Sequence, residues 1–211
     1  MLKIRDINKK RGFSFVELMI AVSIFALLST VTIGSYANFN NRIGVDTLAH
    51  QIAQFGHEAQ VSALSVKRAY DGNYPGYGIH FDSASTTQFV FFADLDGNKT
   101  YTESAAPCGT ATSECEKKVN LLKEVSIVAL CGNASSGGIV DSQNCTSVGL
   151  ANKSYSFDIV FKRPNPDANI IGRNSLGGSD VPYSAAQVII SSNKGYKKSV
   201  QFYITGQVTV K

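Results

Sequence analysis

Apolar residues follow three rhythms along the chain. The first is continuous: from Phe13 to about Ala37 nearly every position is apolar or small. A run of roughly 25 residues crosses the ~30 Å hydrocarbon core of a membrane at ~1.5 Å per helical residue. The second rhythm is helical. Beyond Asn38-Phe39-Asn40-Asn41, the residues Val45, Leu48, Ile52, Phe55, Ala59, Ser62 and Val66 recur at spacings of three and four. They form one face of a helix, while Asp46, His50, Gln54, His57, Glu58 and Lys67 mostly lie off it. This predicts a helix to about Ala69 with its stripe against a sheet, stopped by Asp71-Gly72-Asn73 and Pro75-Gly76. Gly34, Gly44 and Gly56 each cost ~1 kcal/mol relative to Ala inside a helix. Gly34 therefore marks a predicted soft point, with close helix contact at a small residue the equal alternative.

The third rhythm is that of strands. Tyr77–Phe81 and Gln88–Ala93 read as a hairpin, and Val119–Leu130 as a long strand broken by Lys123 and Glu124. Gly132–Leu150 reads as a surface loop, followed by a strand at Tyr155–Phe161. Pro164-Asn165-Pro166 and Gly177-Gly178 enclose a second loop. Ala185–Ser191, Lys198–Thr205 and Gln207–Val210 finish the chain, with a tight turn at Gly206. The predicted class is α+β: a long N-terminal helix, membrane-spanning in its first half, packed on a mostly antiparallel β-sheet head. The divisions are 1–12, a segment set apart from the fold; 13–37, the apolar helix; 38–69, the amphipathic half; and 70–211, the β-rich head.

Charge changes this picture little. The chain carries +4. Residues 1–12 hold five cations (Lys3, Arg5, Lys9, Lys10, Arg11) against Asp6, and the remaining 15 basic and 15 acidic side chains cancel. The positive balance lies in the front segment, which positive-inside logic keeps cytoplasmic while the rest is exported. Four cysteines, Cys108, Cys115, Cys131 and Cys145, lie beyond the apolar run. An even count on an exported side reads as two disulfides, with three connectivities open. Cys108–Cys115 and Cys131–Cys145 are favoured because each pair brackets a turn-rich stretch. Zinc is the rival, but no Cys-x-x-Cys occurs and no histidine is near these cysteines in sequence.

Glu17 calls for an explanation. A carboxylate in a membrane helix costs roughly 2.5–3.5 kcal/mol and by default has a partner. After Arg11 the next cation is Arg42. Cleavage after Gly12 would create one, the α-amino group of Phe13, which in a helical stack could belong to a neighbouring subunit. An ordinary signal anchor with a stray acid is the plainer alternative.

Gly12-Phe13, followed by Ser14, Glu17, Leu18 and a long apolar helix, resembles the class III signal of type IV pilins and pseudopilins. The resemblance implies that 1–12 is a leader and that a prepilin peptidase cuts after Gly12. It implies an N-methylated Phe13 and makes Glu17 the assembly carboxylate. The order of elements and the ending Val200-Gln201-Phe202-Tyr203-Ile204-Thr205-Gly206-Gln207-Val208 resemble H-type minor pseudopilins of type II secretion and FimT-like minor pilins. The implied partners are the peptidase, other pilin or pseudopilin subunits, an inner-membrane assembly platform, and membrane lipid before assembly. The implied location is a bacterial inner membrane, single-pass, with the head periplasmic or extracellular, and then the fibre.

Candidate chemistry is sparse. In Asp94-Leu95-Asp96-Gly97-Asn98-Lys99-Thr100, the oxygen side chains of Asp94, Asp96 and Asn98 alternate and can converge on Ca²⁺. An EF-type loop wants glycine sixth, where Lys99 stands, and a glutamate twelfth, which is missing. A solvated turn is the other reading. His50 and His57 share a helix face but stand about two turns apart, too far for one metal, and like His80 read as surface or interface residues. No nucleophile elbow, zincin or phosphate-loop motif occurs, so no enzyme is expected. The alternative function is DNA uptake. Residues 181–211 hold Lys194, Lys197, Lys198 and Lys211 and no acid, with Tyr196 and Tyr203 nearby. DNA-binding FimT-like minor pilins carry Gly-Arg-x-Arg near the C-terminus; Gly172-Arg173-Asn174-Ser175 supplies its first half, far from the end.

Overall fold

The computed structural model describes residues 12–121, 124–133, 145–147, 156–173 and 180–211, the side chains of 31–38, 40, 133 and 145–147 excepted. It is α+β, with one long helix and eleven strands among these residues. The helix α1 spans Phe15–Leu64. The Ser14 carbonyl accepts its first backbone bond, from the Leu18 N–H at 3.1 Å. The helix passes Gly34 without a break.

The C-terminal end differs from the expected Ala69. The Lys67 N–H reaches back to the Ser62 carbonyl at 3.2 Å, and Val66 between them has φ of 61°. This is the geometry of a Schellman cap, in which a left-handed residue usually supplied by glycine closes the last turn. A valine in that role leaves no signal in the sequence, because β-branched residues avoid positive φ.

The chain divides into two compact units, 1–40 and 41–211. In the first unit the large apolar side chains are bare: Phe13, Phe15, Val16, Leu18, Met19, Ile20, Val22, Ile24, Phe25, Leu27 and Leu28 are all exposed. Among the described residues no helix is long and apolar enough to cross a membrane. Residues 31–37 of the expected span lie outside those whose side chains are described.

In the second unit the rest of α1 buries the predicted stripe. Val45, Leu48, Ile52 and Ala59 are buried, with Ser62 beside them and Phe55 partly covered. Val66, past the helix end, is exposed. Ala49 and Ala63 widen the stripe.

Two antiparallel sheets complete the core. The six-stranded sheet has the order β3-β2-β1-β6-β7-β8, from β1 (Gly76–Asp82), β2 (Gln88–Asp94), β3 (Cys115–Asn120), β6 (Ser156–Phe161), β7 (Ala168–Arg173) and β8 (Val181–Tyr183). The five-stranded sheet has the order β11-β10-β9-β4-β5, from β4 (Val125–Asn133), β5 (Cys145–Ser147), β9 (Ala185–Ser192), β10 (Lys197–Tyr203) and β11 (Val208–Val210). Side chains of both sheets meet the helix in one cluster. Phe55 lies 5.3 Å from Phe89 of β2, and Phe81 of β1 lies 6.2 Å from Phe202 of β10.

The expected hairpins are present: β1 pairs β2, and β10 pairs β11 across Gly206, whose φ is 80°. Three expectations are corrected. Val119–Leu130 is not one strand; its parts belong to β3 and β4, in different sheets. The expected loop at 132–150 contains β5, while 134–144 and 148–150 lie outside the described residues. The stretch between Pro166 and Gly177 contains β7, whose burial alternates along Ala168–Arg173, so the flanking turn residues masked a strand. Gly177 and Gly178 themselves lie outside the described residues.

The six-stranded sheet is covered on both sides. Phe89, Phe91 and Ala93 of β2 face the helix, whereas Val90 and Phe92 turn to the other face. There they pack with Val160, Tyr101, Cys115 and Cys108 under the 95–114 segment. This explains why Gln88–Asp94 is nearly all apolar: alternate side chains need two cores, not one.

Candidate functional site

Gly12 and Phe13 stand ahead of the helix in non-helical backbone. Phe13 is 81 % exposed. A Cβ built on Gly12 would meet nothing within 4 Å, so the fold places no steric demand for glycine there. Glu17 is exposed in the first turn of α1, three residues after Ser14. An acid at this place also has a local use, since the helix dipole favours it by about 0.3–1 kcal/mol. The Ser-x-x-Glu order has the form of a capping box.

A second constellation lies where β2 leaves its sheet and β3 enters it. Asp94 ends β2 and is only 2 % exposed; Glu114, next to the start of β3, is 6 % exposed; Asp96 is exposed. One carboxylate oxygen from each of the three lies within 4.8 Å of the other two. Asp94 Oδ2 accepts the Lys99 N–H at 3.2 Å, whereas Asp94 Oδ1 is buried with no hydrogen-bond partner. Glu114 accepts from the Leu95 N–H at 3.2 Å and the Thr102 N–H at 2.7 Å. Burial, with Asp96 and Asp94 nearby, pushes the Glu114 carboxyl up to about 7 against the donation from Thr102. Burial also raises the Asp94 carboxyl, aided by Asp96 and opposed by the Lys99 N–H and the Lys162 ammonium. No ion pair with a described Lys or Arg is formed by any of the three acids.

Asn98, which the sequence grouped with Asp94 and Asp96, braces the turn. Its N–H donates to Asp96 Oδ1 at 3.0 Å and its side-chain amide to Asp96 Oδ2 at 2.7 Å. Its carbonyl oxygen accepts from the Thr100 N–H and hydroxyl at 2.6 and 2.7 Å. Sequence reasoning missed Glu114, since a glutamate beyond a long loop obeys no fixed spacing. It missed Asp158 as well, a fully buried acid on β6 that accepts from the Tyr101 N–H at 3.2 Å and lies 2.7 Å from His80 Nδ1. His50 and His57 are exposed on α1.

Cys108 and Cys115 form a disulfide that closes the end of the same loop. Cys131 is disulfide-bonded too, and Cys145 stands opposite it in the β4/β5 ladder. Of the expected DNA-contacting cations, Arg173 is paired with Asp180 at 2.5 Å and Lys198 with Asp46 at 3.0 Å. Asn174 and Ser175 lie outside the described residues.

No curated protein and no solved structure matches the chain. The family model of the prokaryotic N-terminal methylation motif matches residues 7–33. This chain thus carries, across Gly12, Phe13 and Glu17, the motif expected of type IV pilin-like proteins.

Proposed function

We propose that this protein is a subunit of a type IV pilin-like filament, a minor pilin or a type II secretion pseudopilin that works by assembly rather than catalysis. One observation carries the reading: the methylation motif coincides with a helix whose apolar side chains are bare from Phe13 to Leu28. Exposed apolar area costs about 25 cal/mol per Å². Lipid of the inner membrane covers it first, as a single-pass anchor, and neighbouring helices cover it later. The helix-plus-sheets order and the closing β10/β11 hairpin support an H-type or FimT-like minor subunit.

A prepilin peptidase that reads Gly12 supplies the demand for glycine that the fold lacks. The freed and methylated Phe13 amine of a neighbouring subunit then pairs with Glu17 as the helix leaves lipid. Burial of that acid without a partner would be prohibitive, since an uncompensated buried charge costs about 3–5 kcal/mol. The assembly platform of the inner membrane completes the set of partners, and the head lies on the exported side. The DNA-binding alternative gains nothing from Arg173 and Lys198, which acids already hold.

Mass spectrometry of the membrane-purified product tests the reading. A mature chain beginning at N-methylated Phe13 is expected. A product that still begins at Met1 overturns it.

A further inference from the structure

We propose that the end of the head where α1 enters it is a docking surface for anionic phospholipid headgroups of the membrane that holds the anchor. The inference rests on the single-pass anchor proposed above and adds an electrostatic hold to it. The fold gathers this surface from three parts of the chain. Arg42 stands at the start of the second unit, and its Cζ lies 5.4 Å from the ring centre of Tyr196. Tyr196, Lys197 and Lys198 follow the turn between β9 and β10, which the Ser192 N–H closes on the Tyr196 carbonyl at 2.9 Å. Lys211 lies opposite Ser199, with which it exchanges both backbone hydrogen bonds at 2.9 Å. Facing residues of an antiparallel pair share a side of the sheet, as do residues two apart along one strand. Lys197 and Lys211 therefore lie on one side of this sheet end, and Lys198 lies on the other with Asp46 of α1.

Charge at this end is one-sided. Asp46 neutralises Lys198 at 3.0 Å, but Arg42, Lys197 and Lys211 are exposed and no described acid pairs with them. Lys194 in the turn adds to them, and against them stands Glu124, whose carbonyl accepts the Asn193 N–H at 3.1 Å. Position selects a membrane over other anionic partners. Five helical residues separate Ala37, the end of the apolar run, from Arg42, a rise of about 7.5 Å. The headgroup layer is itself roughly 5–7 Å deep, so Arg42 emerges at its outer edge. The composition is interfacial as well: Ile43 is exposed beside Arg42, and Tyr196 is of the amphipathic type enriched where membrane meets water. Cations on the exported flank oppose the orientation of a spanning helix, but only within about 15–20 residues of it. Arg42 alone falls in that range; the lysines arrive by folding, after the orientation is set.

The chain has no tryptophan, so Asn193→Trp, at an exposed position of the β9/β10 turn, supplies a single fluorescent reporter. The full-length protein carrying it is reconstituted into vesicles of phosphatidylcholine, alone or mixed with phosphatidylglycerol. Both hold the same fraction of phosphatidylcholine bearing a nitroxide quencher on its headgroup. The ratio of quenched to unquenched indole should rise at least about fivefold in the anionic vesicles, the weight of one basic side chain near such a surface. It should fall back in ~1 M salt, where the screening length is about 3 Å. Lys197→Glu with Lys211→Glu should abolish the rise. Lys162→Glu with Arg163→Glu, an equal charge change beside Leu64 at the other end of the buried half of α1, should preserve it. The lipid and salt arms leave every lysine in place, so they decide the matter even if a charge-reversed variant fails to fold. Equal quenching in both vesicles, quenching that survives salt, or equal loss in the two double variants would overturn the surface. So would DNA retardation that needs Lys197 and Lys211 while quenching ignores lipid charge. A chain that never enters the vesicles overturns the anchor itself, which separates that failure from the others.

Discussion

Phe15–Thr30 and Val45–Ala63 are segments of the same helix, yet their apolar side chains meet opposite surroundings. In the first, apolar residues occupy every side and stay exposed; in the second they form a stripe, and that stripe is buried under two sheets. The difference teaches what each rhythm is for. A stripe finds its cover within its own chain, whereas a helix apolar all round needs cover from lipid or from other molecules. The first segment is thus prepared for assembly and the second for folding, and substitutions should separate the two.

The largest separation is expected at Glu17. Glu17→Gln should abolish incorporation into filaments while the head keeps its thermal stability, measured by shear-released filament yield and by circular dichroism. The substitution also distinguishes pairing from capping. Glutamine serves a capping box nearly as well as glutamate, so a purely local role predicts normal filaments. Next comes a matched pair. Ile52→Ala removes a fully buried side chain and should cost about 2–5 kcal/mol in chemical unfolding of the head. Ile24→Ala, in the exposed stretch, should leave that transition where it was. Equal losses would mean that the two segments are not separate in function.

Much of this contrast could be read from the sequence, because periodicity records which faces need cover. The head was readable wherever neighbours in sequence became neighbours in space: the β1/β2 hairpin, the Gly206 turn and the Cys108–Cys115 bridge. What escaped depends on contacts between distant segments. Asp158 looks like a solvent-facing break in β6 until the 95–114 segment covers it. Glu114 joins Asp94 only because β2 and β3 pair. That β3 and β4 belong to different sheets also escaped, because Lys123 and Glu124 mark a break in the pattern but do not say which strands lie beside each half.

Removal of the Cys108–Cys115 bridge should have the next effect. A loop this short, with the cysteines seven apart, is worth about 2–3 kcal/mol on chain-entropy grounds. Cys108→Ser with Cys115→Ser should lower the unfolding midpoint of the head accordingly and leave filament incorporation intact. The bridge lies far along the chain from the bare segment, so a loss of incorporation at unchanged stability would tie the loop to assembly.

The smallest effect tests whether glycine in the buried half of the helix is a defect or a fit. Gly56→Ala should gain about 0.8–1.0 kcal/mol from helix propensity alone. Yet the new Cβ would lie 2.8 Å from Phe202 Cε1 and 3.3 Å from a Val208 methyl. Phe202 is buried on β10 and backed by Phe81, so its ring has little room to turn aside. Overpacking of this kind costs about 1–3 kcal/mol, which exceeds the propensity gain. A net loss of about 1 kcal/mol in urea unfolding is therefore expected, the difference between those two ranges. A stabilised variant would show that the helix can lift away from β10 at that point, and the buried half would then owe less to close packing than its stripe implies.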